Sequence, residues 1–440
     1  MWYDESVIYQ IYPFGYVGAP ESNDGILEHR ILKFIEHIPH LKKLGINVVY
    51  FCPIFESSNH GYDTKDFSKI DCRLGTNEDF KTVCDKLHEN GIKVILDGVF
   101  NHVGRDFFAF KDVQENKYNS IYKDWFYINF DGNSGYNDGF YYEGWEGHFE
   151  LVKLNLDNGD VKKHLFECIK NWIDNFGIDG LRLDVAYLLN KNFMKELRGF
   201  VQNINPEFFL LGEMIHGDYN TIVNNEMLHS ATNYECYKGI YSSLNEMNMF
   251  EISYSLNRQF GSESWCLYTG KNMVSFIDNH DVSRIASSLT NKNHLKLAFG
   301  LLFTMPGIPC IYYGSEWGEE GIKIQGTDAP LRPKVDSPKF NEISEFVSKL
   351  CKLRIDSTAL AYGNFANLHI TNHQYVFERK LDNKRIIVMI NASENNYVFD
   401  FNFNASEGTE LISEKNISLS SPLTLPPYSI QIIEIKYNVY

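Results

Sequence analysis

The chain has no charge-free apolar run of about 18 residues, so no membrane-spanning helix is expected. None of its eight cysteines forms a CxxC pair, which leaves zinc-ribbon and thioredoxin-type chemistry without the necessary spacing. Cys52, Cys72, Cys84, Cys168, Cys236, Cys266, Cys310 and Cys351 fall mostly inside strand- or helix-like segments. They read as small buried hydrophobes in a reducing compartment. Positive charge is scarce: 41 Lys and Arg stand against 57 Asp and Glu, a net charge of −16. An acidic surface repels phosphate backbones, so nucleic acid is not an expected partner. The N-terminal "MWYDESVIYQIYP" places Asp4 and Glu5 ahead of a strand-like stretch, with no basic region and no small-residue cleavage site. A cytoplasmic location is the corresponding expectation. Internal repeats and low-complexity tracts are also missing.

What is abundant is aromatic and apolar. Aromatic residues make up 15% of the 440, and 44% are hydrophobic. That length and composition predict one large domain with one or two smaller ones. The aromatic content suits a neutral ligand with flat apolar faces, such as a sugar ring, although much of it must be core.

Short β-branched or aromatic runs alternate with helical patterns over the first 355 residues. The strand-like runs are 7–12, 47–52, 93–100, 180–185, 208–213, 231–235, 273–278 and 308–313. Segments 27–44, 77–90, 160–176, 192–203 and 294–304 have 3.6-residue periodicity. Eight strands separated by helices predict parallel pairing in a (β/α)₈ barrel. Residues 103–155 break the alternation. They are rich in Tyr, Phe, Gly, Asn and Asp without a clear helix, and predict a small domain inserted after the third strand. From 356 to 440 short alternating strands such as "RIIVMINAS" predict an appended antiparallel β-sandwich. The barrel would then comprise 1–102 and 156–355.

A barrel of this kind carries its chemistry at the C-terminal ends of its strands. The third strand ends in "LDGVFNH", with Asp97, Asn101 and His102. In "DGLRLDVAYLL" the period of two puts Gly180, Arg182 and Asp184 on one face and Leu181, Leu183 and Val185 on the other. The fifth strand ends at Glu213, and the seventh in "FIDNHDVSR", with Asp278, His280, Asp281 and Arg284. His60, Tyr62 and Asp63 follow the second strand. Three carboxylates thus converge from the fourth, fifth and seventh strands. Burial and like charges drive such pKa values apart, leaving one carboxyl neutral and another ionised, as glycoside cleavage requires.

The pieces "DGVFNH", "GLRLD", "GE" and "FIDNHD", in this order and on these strands, resemble the α-amylase family of glycoside hydrolases, family 13. The resemblance extends over the whole chain. It implies that Asp184 is the nucleophile, Glu213 the general acid and then base, and Asp281 the stabiliser of the transition state. It implies retaining chemistry, for which the two reacting carboxyls lie about 5–5.5 Å apart. Arg182 would keep Asp184 ionised; His102 and His280 would bond sugar hydroxyls; Tyr62 would stack on the sugar. Asp63 and Arg284 are candidates for the terminal sugar, and Tyr187 for the leaving side. Asp97 and Asn101 are read as holding the third-strand loop.

Two stretches depart from the family pattern. Many members hold a calcium ion through an Asp in an "LPDLD"-like segment. Here the stretch is "LVKLN", with Lys153 at that place, so no calcium and no other cofactor is expected. "KLN" resembles the neopullulanase, cyclomaltodextrinase and oligo-1,6-glucosidase branches, but neopullulanases and cyclomaltodextrinases usually carry "VANE" after the nucleophile and an extra N-terminal domain. This chain has Val185, Ala186, Tyr187 and Leu188, and its barrel begins almost at residue 1. The expected activity is hydrolysis of α-1,4 bonds in malto-oligosaccharides or cyclodextrins. An exo-acting α-glucosidase or a glucosyltransferase is the near alternative. A non-catalytic carbohydrate-binding barrel is an alternative of another class, which the intact acidic trio opposes.

Overall fold

The computed structural model describes residues 1–420 and 422–436. At its centre lie eight parallel strands: β1 (Ile8–Ile11), β2 (Val48–Phe51), β3 (Lys93–Gly98), β4 (Gly180–Leu183), β5 (Phe209–Gly212), β6 (Ser230–Ala231), β7 (Val274–Phe276) and β8 (Ile308–Tyr312). Their order is β6-β5-β4-β3-β2-β1-β8-β7, and a parallel bridge between Thr232 and Val274 closes the ends into the expected barrel. Apart from Lys93 the strands are buried from end to end, because side chains on one face fill the barrel and those on the other meet the helices.

Register already sets up the site. Arg182 on β4 lies directly beside Asp97 on β3 and Leu211 on β5. Paired residues of parallel strands share a face, so Arg182, and Asp184 and Glu213 just beyond the strand ends, all point into the barrel. The Asp184 and Glu213 backbones continue the ladder, donating to Gly98 and Leu183 at 3.1 and 2.9 Å.

Local differences from the sequence reading have local causes. The sixth strand is shorter and earlier than 231–235, because the Asn233 side chain accepts from the Cys236 amide at 3.0 Å and caps helix Tyr234–Asn245. The single helix read over 27–44 is a 3₁₀ stretch, Arg30–His37, followed by α-helix Ile38–Leu44. Pro39 lies in the first turn, where its missing N–H costs nothing. The inserted segment holds a helix after all, Phe108–Asn116, which buries Ala109, Phe110 and Val113. Its small sheet pairs His102–Gly104 with His148–Lys153, so the insertion takes in His102 itself. There Gly104 passes so close to the Asp63 carbonyl that a Cβ would sit 2.4 Å from it.

Helices Glu342–Asp356 and Thr358–Tyr362 lead into the C-terminal strands, which start at Asn364 rather than 356. Six antiparallel strands face a two-stranded antiparallel ribbon of Tyr397–Phe399 and Leu423–Leu425, as a sandwich requires. Within the strand Lys384–Asn391 the run 386–390 is apolar throughout because it is covered on both sides. Ile386, Val388 and Ile390 join the barrel core, while Ile387 and Met389 pack with Phe399 and Leu425 inside the sandwich. All eight cysteines are free. Among the described residues no helix is long and apolar enough to cross a membrane.

Candidate active site

A cleft of about 1060 Å³ opens over the C-terminal ends of the strands. Asp184, Glu213, Asp281, His102 and Tyr62 line it together, as the sequence suggested. Trp145 of the insertion and the loop around Lys323 form parts of its wall.

Below these residues the charges meet at one guanidinium. Arg182, only 3% exposed, donates from Nη1 to Asp97 Oδ1 at 2.9 Å and to Asp184 Oδ1 at 2.8 Å. Its Nη2 lies 2.9 Å from Glu213 Oε1. The hydroxyls of Tyr50 and Tyr62 also donate to Asp97, at 2.9 and 3.3 Å. Arg182 is therefore a support beneath the cleft floor rather than a sugar contact. Asp97, read from sequence as a loop anchor, is its main counter-ion.

Three buried carboxyls (Asp97, Asp184 and Glu213) and the partly exposed Asp281 share two guanidiniums, those of Arg182 and Arg332. Full ionisation would leave uncompensated negative charge in a nearly dry site. Burial pushes Asp184 well above the usual carboxylate range against the pull of Arg182, and Glu213 and Asp97 push it further. Burial raises Glu213 as well; Arg182 opposes that rise and Asp281 adds to it. Asp97 moves in the same direction for the same leading reason. The expectation that Arg182 simply keeps Asp184 charged is too simple. One guanidinium serves three carboxyls, so their protonations are coupled. Glu213 Oε2 also accepts the Val185 amide at 2.8 Å. Val185 itself adopts φ +41°, a left-handed conformation unusual for a β-branched residue and characteristic of strained functional sites.

Asp281 behaves differently. Burial pushes its carboxyl up, but His280, Arg332, Arg182 and Lys323 together hold it below the ordinary range. Arg332 Nη2 lies 3.2 Å from Asp281 Oδ1, and its guanidinium stacks 4.3 Å over the Tyr12 ring. The Gln10 amide donates to His280 Nδ1 at 2.9 Å, so the neutral ring carries its proton on Nε2, 3.1 Å from Asp281 Oδ2. Burial lowers the His280 pKa to about 3, which keeps the ring neutral. His102 is lowered to about 3 for the same reason. Its Nδ1 is engaged by Asn101 at 3.1 Å, which leaves Nε2 a buried atom without a partner, 3.9 Å from Asp184. An orphaned donor facing a cleft suits a ligand hydroxyl.

The remaining sequence candidates are placed less centrally. Arg284 does not reach the cleft. It is fully buried, donates to the Tyr313 and Leu331 carbonyls, at 2.5 and 2.8 Å, and stacks on Tyr312. The cleft-facing arginine is Arg332, which sequence reasoning missed because "APLRP" carries no strand or motif signal. Asp63 sits behind Asn59 and His60, which line the wall, and accepts the Asn59 amide at 3.1 Å. Tyr187 stands outside the cavity wall, half-buried, with its ring 5.3 Å from that of His216. Lys153 pairs with Glu143 at 3.0 Å and lies over the Tyr127 ring. An ammonium there does not fit a calcium ligand set. Among the described residues one trio, Glu56, Asp71 and Cys72, has metal-like spacing, but Asp71 is already bonded to Arg73 at 2.7 Å.

The chain as a whole is similar to known proteins. The family described as alpha amylase, catalytic domain, matches residues 10–349, and the maltogenic amylase C-terminal domain matches 365–432. The chain belongs to the α-amylase family of glycoside hydrolases. A maltogenic alpha-amylase of Bacillus acidopullulyticus is 33% identical, over 96% of this chain and 76% of its own. A cyclomaltodextrinase of Bacillus sp. is also 33% identical, over 89% of this chain and 73% of its own. The solved structure of the acarbose-soaked debranching enzyme of Nostoc punctiforme is 29% identical, with a TM-score of 0.80 over 99% of both chains. In this α-amylase family chain the site thus combines a low-lying acid cluster, two neutral histidines and an aromatic rim.

Proposed function

We propose that the chain is a retaining hydrolase of short α-glucans, cutting α-1,4 bonds of malto-oligosaccharides or cyclodextrins. The observation that carries this reading is the Arg182 bridge. It holds Asp184 and Glu213 side by side at the cleft floor while Asp281 stays ionised opposite them. In the proposed cycle Asp184 attacks the anomeric carbon while Glu213 protonates the leaving oxygen. Water then attacks the anomeric carbon as Glu213 takes its proton, which breaks the bond to Asp184 and releases its carboxylate. Asp281 stays ionised and stabilises the developing positive charge on the sugar. His102 and His280 bond sugar hydroxyls, and Tyr62 presents its ring.

The debranching relative makes α-1,6 cleavage the second reading. Products from maltoheptaose, β-cyclodextrin, pullulan and isomaltose separate the two, and separate endo from exo action. Glu213→Gln should bind maltotriose yet lose nearly all turnover; retained turnover refutes the assignment. A glycosyl-enzyme trapped in Asp184→Asn would refute the nucleophile. Lys153, paired with Glu143, is proposed to replace the cation of other family members. Excess chelator should therefore leave the melting temperature unchanged, and a large drop would sink that idea. The free cysteines support a cytoplasmic location.

A further inference from the structure

A second cavity, of about 320 Å³, lies between the barrel and the C-terminal domain. It shares no lining residue with the catalytic cleft. The barrel contributes Asn245, Asn291 and His294, and the C-terminal domain Ser393, Asn395 and Tyr428. Its volume is at the lower end of the roughly 300–1,000 Å³ found for small-molecule pockets.

The wall has specific chemistry. His294 is 1% exposed and donates from Nε2 to the Ala392 carbonyl at 3.0 Å. Its other nitrogen, Nδ1, is buried and makes no hydrogen bond of good geometry among the described residues, with the Leu244 backbone also beside the ring. A buried acceptor left unpaired is costly, and an incoming hydroxyl would satisfy it. The Tyr428 ring stands 5.5 Å from the His294 ring and offers an aromatic face. Tyr428 is held at φ +50° while its amide donates to the Ser393 carbonyl at 3.1 Å. The cavity is lined by amides, hydroxyls and two histidines, with one carboxylate, Glu394, and no lysine or arginine. That lining disfavours an anion. Among the described residues no three metal-ligating side chains converge there. An apolar ring face beside hydroxyl and amide groups matches a neutral polyhydroxylated ring.

We propose that this junction is a second saccharide site, holding one or two hexose rings of a short α-glucan away from the cleft. The choice of glucan rests on the α-glucan hydrolase reading; the cavity itself does not. The test is maltose binding to the full-length Glu213→Gln chain by titration calorimetry. Two maltose molecules should bind per chain. Adding Tyr428→Ala should remove one of them and leave the affinity of the other unchanged. Asn395→Ala alters an exposed side chain and should weaken the same event. It keeps the test decisive if Tyr428→Ala misfolds. Neither change, made in the unaltered chain, should alter maltotriose turnover. Maltose binding that neither substitution affects would overturn the proposal. Maltotriose turnover with a single site insensitive to both would overturn it while leaving the hydrolase reading intact. A Tyr428-dependent site in a chain that does not hydrolyse maltotriose would do the reverse.

Discussion

Asp97→Asn offers the sharpest probe of the charge cluster, because Asp97 touches no cleft surface and acts through Arg182. Asp97 and Asp184 both bond the same Arg182 nitrogen, at 2.9 and 2.8 Å. Their oxygens therefore lie within about 6 Å, where two unit charges at an effective dielectric near 20 interact by about 3 kcal/mol. That corresponds to about 2 pH units for a fully charged Asp97. Burial pushes Asp97 itself toward its neutral form, so that figure is an upper bound. The sign is clear. Asp97 raises both Asp184 and Glu213, so removing its charge lowers both. Arg182, released from one partner, pulls in the same direction. In Asp97→Asn both limbs of the kcat/KM profile for maltotriose should move to lower pH, and alkaline activity should fall first. The amide still accepts from Tyr50 and Tyr62, so the variant should remain folded with a modest loss of about 1.5–3 kcal/mol. An unmoved profile, or one shifted to higher pH in a folded variant, would refute the shared-guanidinium argument.

Arg182→Met should destabilise the fold by about 3–5 kcal/mol, seen in chemical denaturation, because it leaves buried carboxyls without their cation. Arg332→Met should let the Asp281 carboxyl rise and should raise KM for maltotriose more than Arg284→Met does. Arg284→Met should instead lower the melting temperature, and a KM effect dominating there would restore Arg284 as a sugar contact. His229 tests the acid stability of the fold away from the cluster. Burial lowers its pKa to about 3, and Nδ1 accepts the Leu210 amide. The unfolded chain takes up that proton near pH 6.5 while the folded chain refuses it. Stability from this group is therefore complete above about pH 6.5 and is lost at about 1.4 kcal/mol per pH unit below it. His229→Gln should reduce the acid dependence of the melting temperature; an unchanged dependence contradicts the shift.

Much of this site was legible in the linear chain. A period of two fixes which side chains of "GLRLD" enter the barrel, and eight alternating strand signals specify the barrel whose strand ends carry Asp184 and Glu213. Those features are local, so sequence pattern determines them. Other features depend on closure, which brings together residues far apart in the chain. β3 lies beside β4 in register, so Arg182 meets Asp97 as closely as it meets Asp184. The loop after β8 folds back over Asp281, so Arg332 takes the place that Arg284 was expected to fill, while Arg284 ties carbonyls together in the core. The C-terminal sheet packs on the barrel and leaves His294 and Tyr428 facing one cavity, 134 positions apart in the chain. Propensity and periodicity describe neighbours along a strand or helix; shared counter-ions and junction cavities arise between elements, and only tertiary packing decides them.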